Sequence, residues 1–150
     1  MDLWPKIDAR TWKEYTRCFG CGQDNPVGLK LKFSWDGLTA RAQFTPDVNH
    51  QGWGGYVHGG ITSCVLDEAM GWTALFSGYN NVTAKMQTRF RRMIPIGENC
   101  EVTCRIVKQT SRLIETEARI VGQDGTVFAD ATSTQFIIGP RKQEQGKHEE

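Results

Sequence analysis

Residues 59–76, GGITSCVLDEAMGWTALF, are apolar almost all round, and no other part of the chain limits its fold so strongly. Ile61, Cys64, Val65, Leu66, Ala69, Met70, Trp72, Ala74, Leu75 and Phe76 predict a helix that is normally buried, since every side of it is apolar. Asp67 and Glu68 stand inside this segment, and no Lys or Arg lies between His58 and Asn80 to neutralise them. A carboxylate on a buried helix is costly unless something pairs with it or uses it. Asp67 is therefore a candidate catalytic group. The segment opens on His58-Gly59-Gly60, with Asp67 nine residues after the histidine.

The flanks change period. Leu29, Leu31 and Phe33 alternate with Lys30 and Lys32, which predicts a half-buried strand. Asp36-Gly37 is a hairpin turn signal, and Leu38–Phe44 reads as the returning strand. A loop over residues 45–58, rich in Gly, Asn and His, leads into the helix, which Gly78 and Asn80-Asn81 are expected to end. Four further strands follow at Val82–Arg92, Cys100–Lys108, Leu113–Val121 and Thr126–Ile138. One buried helix among antiparallel strands makes a two-layer α+β domain, with the sheet wrapped around the helix as in a hot-dog fold. Small residues on the last strand, Ala129, Ala131 and Ser133, would let helix and sheet approach closely. The expected organisation is an N-terminal arm over 1–17, one domain over 18–138 and a polar tail over 139–150.

At 150 residues and 39% hydrophobic, the chain suits one globular domain. A net charge of +1 gives no reason to expect nucleic acid or an anionic membrane as partner. No apolar run is long enough to span a bilayer, and the first fifteen residues lack the apolar core of a secretory signal. Five cysteines without an export signal suggest reduced thiols and a cytoplasmic location.

HQGWGGYVHGGITSCVLDEAMG resembles the helix-entry motif of the hot-dog acyl-CoA thioesterases. The similarity is closest to the phenylacetate-pathway and mammalian "thioesterase superfamily member" branch. CFGCGQDNPVGLKLKF resembles the N-terminal motif of that branch, and VTAKMQTRFRRMIPIGE its strand after the helix. The resemblance implies that Asp67 is the general base or nucleophile on a thioester. It implies that the Gly59 N–H polarises the thioester carbonyl, that Thr83 helps to hold the attacking water, and that His58 shapes the loop and contacts substrate. Many relatives carry Asn six residues before the motif's histidine, where this chain has Gly52. Asn49 and His50 are the nearest polar candidates for that role. Met93 replaces a proline common after the arginine, while Pro95 keeps the turn.

The chemistry agrees with these assignments. A helix N-terminus offers unpaired N–H groups and a dipole that favours developing negative charge, and Gly59 and Gly60 have no side chains to block approach. Asp67 can deprotonate water or form a transient anhydride. Along one helix, residues 59 and 67 lie roughly 12 Å apart at about 1.5 Å per residue. One carbonyl cannot reach both, so the chemistry asks for two antiparallel helices and a homodimer with sites across its interface, or a homotetramer built from such dimers.

Other readings compete. Asp67 is alternatively a buried carboxylate satisfied by backbone N–H groups, and Glu68, about 100° round the helix, a rim residue near the substrate. Cys18-x-x-Cys21 and Cys100-x3-Cys104 invite zinc, but the first pair sits in a turn and the second reads as one face of a strand, so no metal is expected. Arg89, Arg91 and Arg92 form either a solvated sheet face or a cationic patch for coenzyme A phosphates. No cofactor is expected, because coenzyme A would be part of the substrate. Trp53, Tyr56, Trp72 and Phe76 suggest room for a bulky acyl or aryl group, though core packing is the commoner explanation of such residues. The alternative functions are a non-catalytic acyl-CoA binder on the same fold and a hydratase or dehydratase.

Overall fold

The computed structural model describes residues 15–141. They divide between two compact units, one through Lys32 and one from Phe33 onward. Most of the expected arm and tail, residues 1–14 and 142–150, lies outside the described residues. The first unit is turn-rich: a 3-10 turn at Tyr15–Arg17 runs into Cys18–Gly22, closed by Gly22 N–H donating to Cys18 O at 2.8 Å.

The second unit is one helix against a six-stranded antiparallel sheet, the hot-dog arrangement. Its strands are β1 (Ser34–Trp35), β2 (Thr39–Phe44), β3 (Tyr79–Phe90), β4 (Cys100–Gln109), β5 (Leu113–Gly122) and β6 (Val127–Pro140). They lie in the order β1-β2-β4-β5-β6-β3, so β1 and β3 are the edges. The helix α1 spans Gly59–Phe76, as its apolar run predicts, and packs against β2 to β6.

His58 caps α1: its Nδ1 accepts the Gly60 N–H at 2.8 Å, and its carbonyl accepts the Ile61 and Thr62 N–H groups. Ser77 and Gly78, at φ +104°, end it. Asn80 and Asn81 are not part of that stop. They lie in β3, which begins at Tyr79, and Asn81 Nδ2 donates back to the Gly71 carbonyl at 3.1 Å.

The sheet buries one face of α1, namely Thr62, Val65, Leu66, Ala69, Met70, Thr73 and Ala74. Ile61, Cys64, Trp72, Leu75 and Phe76 remain half-buried, so the expectation of burial on every side is corrected within one chain. Opposite the buried face lie Ala40, Ala42, Val102, Cys104, Ala118, Ile120, Ala129 and Ala131. The alanines among these inward residues allow the close helix–sheet approach.

Two strand expectations change. Residues 29–33 are not in the sheet: Lys30 takes φ +52°, and only Ser34–Trp35 pair with β2, opposite Arg41 and Ala40. The Asp36-Gly37 turn forms as expected, with Asp36 Oδ1 accepting the Leu38 and Thr39 N–H groups and Gly37 at φ +97°. In β3 a bulge inserts Ala84 between Thr83, opposite Gln135, and Lys85, opposite Thr134. Among the described residues no helix is long and apolar enough to cross a membrane.

Candidate active site

Asp67 sits in the middle of α1, half-buried, where β3 passes it. Thr83 Oγ1 lies 2.7 Å from Asp67 Oδ1 and donates its proton there. Hydrogen bonds to a charged acceptor are roughly twice as strong as neutral ones. Among the described residues Asp67 has no ion-pair partner and no second hydrogen bond, so Oδ2 is left for another donor.

Thr83 also lies 3.0 Å from Gln135 Oε1 on β6. Gln135 Nε2 reaches Ser133 Oγ at 2.7 Å, and Ser133 Oγ meets Thr116 Oγ1 at 2.7 Å. Gln135, Ser133 and Thr116 are all buried. No sequence argument singled out Gln135. Its signal was one amide on the inward face of a strand whose other inward positions are Ala129, Ala131 and Ser133.

At the N-terminus of α1, the His58 ring and carbonyl take the N–H groups of Gly60, Ile61 and Thr62. The Gly59 N–H has no partner among the described residues and points out of the helix end. Gly60 is closely covered, because a Cβ there would lie 3.1 Å from His58 Nδ1. Gly59 is more open: a Cβ would meet only Phe90, at 3.6 Å. With Nδ1 accepting, the neutral His58 ring carries its proton on Nε2.

The preceding loop is built on backbone bonds. Val57 N–H donates to Ile94 O at 2.9 Å and His58 N–H to His50 O at 2.8 Å. His50 Nδ1 accepts the Asp47 N–H at 3.0 Å, and its ring packs on Phe44. Asn49 is exposed and donates its backbone N–H to Asp47 Oδ1. Gly52 presses on the loop's end: a Cβ there would lie 3.0 Å from His58 Cα. A side chain at this position would need the loop to give by a few tenths of an ångström. Gln51, Gly52, Trp53, Val57, His58 and Gly59 line a cleft of about 500 Å³.

The remaining candidates are spread out. Glu68 is half-buried beside Asp67 on α1. Beyond the Ala84 bulge, Phe90 turns toward Gly59, while Arg89 and Arg91 turn to the sheet's outer face, where Arg91 pairs with Asp130. Arg92 lies near Asp124 and helps to hold that carboxyl below its usual range, after the Thr126 hydrogen bonds that dominate. The fold thus brings Asp67 and Thr83 together, and His58, Gly59 and Gly60 together, but does not gather the arginines with either set. Trp53 lines the cleft, whereas Trp72 and Phe76 stack with Phe33 and Trp35, and Tyr56 is exposed on the same loop as Trp53. Cys100 and Cys104 face the core, where burial pushes their thiols up to about 12 and about 11.

Solved structures share this fold. A hypothetical thioesterase from Streptococcus pneumoniae, crystallised with coenzyme A, is 18% identical over 75% of this chain and 91% of its own, with TM-score 0.71. Its structure is also known with an aspartate, and separately with a threonine sixteen residues further on, changed to alanine. The Escherichia coli PaaI protein, from the phenylacetic acid degradation operon, is 20% identical over 75% of this chain and 82% of its own, TM-score 0.71. Zebrafish thioesterase superfamily member 2 is 20% identical over 87% and 99%, TM-score 0.70. The family model described as the thioesterase superfamily matches residues 54–129, from the loop before α1 into β6 and over half of the chain. The protein belongs to the thioesterase superfamily.

Proposed function

We propose that the chain is a thioesterase that hydrolyses acyl-CoA, or a related acyl thioester, to the free acid and thiol. Asp67 carries this reading: it is a carboxylate midway along a core helix, bonded to one hydroxyl, with no ion-pair partner among the described residues. Asp67 and Thr83 are sixteen residues apart. The aspartate and threonine replaced in the S. pneumoniae thioesterase have the same spacing, which supports reading the pair as a unit. That relative's bound coenzyme A supports the substrate class.

The Gly59 N–H receives the thioester oxygen as negative charge develops, with His58 holding the loop in place and Gly60 leaving room for the His58 ring that caps the helix. Water held by Asp67 and Thr83 attacks the carbonyl carbon, and Asp67 takes its proton. Collapse of the tetrahedral intermediate breaks the C–S bond, and the departing thiolate regains the proton from Asp67. Direct attack by Asp67, forming an anhydride that water then cleaves, uses the same geometry. Gly59 and Asp67 lie roughly 12 Å apart along α1, which supports a homodimer, or a homotetramer of dimers, in which each site takes Gly59 from one chain and Asp67 from the other. Asn49, His50, Glu68, Arg89, Arg91 and Arg92 are proposed to line the substrate path, the arginines toward coenzyme A phosphates. No cofactor or metal enters these steps.

Thiol release from a panel of acyl-CoAs tests the function. Wild-type protein is expected to turn over at least one class, and Asp67→Asn to lower its kcat by about 10²-fold or more with the fold intact. Saturable binding of acyl-CoA without thiol release would instead make the chain a non-catalytic binder.

A further inference from the structure

The Thr83 hydroxyl has one proton and two oxygen neighbours, Asp67 Oδ1 at 2.7 Å and the Gln135 carboxamide at 3.0 Å. An ionised carboxylate can only accept, so the proton belongs to Asp67. The Thr83 oxygen then needs a donor from Gln135, since two lone pairs facing each other at that distance repel. A carboxamide offers NH₂ on one arm and oxygen on the other, with nearly the same shape. The bonds close when the NH₂ faces Thr83 and the oxygen faces Ser133 Oγ, 2.7 Å away. Ser133 donates to that oxygen and accepts from Thr116 Oγ1, also at 2.7 Å. Every hydroxyl then donates once, in one direction, and ends on Asp67.

We propose that Gln135 is a positioning residue of this site. By donating to Thr83 it turns the threonine proton onto Asp67, so that Oδ1 is occupied and Oδ2 faces the reacting water. Gln135 is fully buried, on β6 directly opposite Thr83, and touches neither substrate nor water in this role. Its burial favours the device, because a polar chain in a low-dielectric interior is costly when any member is left unpaired. The Ala84 bulge lets Thr83 face α1 beside Gln135 while Met86, Thr88 and Phe90 also face inward. The proposal rests on Asp67 being the catalytic carboxylate.

A double-mutant cycle tests it. Gln135→Met keeps the length and removes both polar arms. It is expected to lower kcat on the order of tenfold, by loosening the catalytic geometry, with KM changed less than about twofold. Thr83→Val removes the hydroxyl that Gln135 acts on. In that background Gln135→Met is expected to cause no further loss of kcat, whatever it does to the melting temperature. Ser133→Ala, which frees the amide to turn over, should show the same dependence on Thr83 and replaces Gln135→Met if that variant does not fold. Wild-type kcat in the single variant, or losses that multiply in the double variant, would overturn the proposal. Asp67→Asn, assayed in parallel, separates the two readings: full activity there removes the catalytic role of Asp67 itself. A collapsed Asp67→Asn with wild-type Gln135→Met removes the positioning role alone.

Discussion

At the scale of the residue, the proposed mechanism gives Asp67 and Thr83 unequal shares of the chemistry. The carboxylate has no substitute as proton acceptor, whereas water can replace part of what a hydroxyl does in orienting a nucleophile. Thr83→Ala is therefore expected to lower kcat by less than the roughly 10²-fold of Asp67→Asn, and Glu68→Gln least of all. Steady-state kinetics on the three variants checks the ranking; a normal Asp67→Asn beside an inactive Glu68→Gln would move the catalytic carboxylate by one position. His58, Gly59 and Asp67 were legible in the sequence because a helix cap and a point on the same helix are local relations. Gln135 was not. Its meaning depends on β6 lying against β3, which brings together residues 52 positions apart in the chain.

At the scale of the element, α1 was readable to its ends because its apolar run is long and bounded by His58 and Gly78. The strands were harder. Leu29, Leu31 and Phe33 alternate as a strand would, yet they pair with no strand, and the sheet begins only at Ser34. Alternation through β3 would also place Thr83 and Arg89 on one face. The extra residue Ala84 reverses the parity, sending Arg89 outward and Phe90 toward Gly59. A bulge has no period of its own, so counting by twos cannot see it. Deleting Ala84 joins Thr83, opposite Gln135, directly to Lys85, opposite Thr134, so plain alternation then keeps Met86, Thr88 and Phe90 facing the helix and Arg89 outward. The expected result is a cooperative thermal transition within a few degrees of wild type. Loss of a cooperative transition would show that Ala84 is more than one residue inserted into an otherwise regular ladder.

At the scale of the whole molecule, the proposed site is incomplete in one chain. The Gly59 N–H, without a partner among the described residues, and the Asp67 carboxylate stand eight residues apart on α1, roughly 12 Å at about 1.5 Å per residue and too far for one carbonyl. Each has a variant that removes it with little other change. Asp67→Asn keeps the size. Gly59→Pro deletes the N–H alone at a first helical position, where proline is well tolerated, and His58, at ψ 136°, already has the extended backbone a following proline requires. Each variant by itself should be nearly inactive. The most direct test is to unfold and refold the two together in equal amounts and measure thioester hydrolysis. Random pairing makes half the dimers hybrid, each with one intact site of two, so activity should return to about a quarter of the wild-type value. A mixture no more active than its separate components would contradict a site shared between subunits.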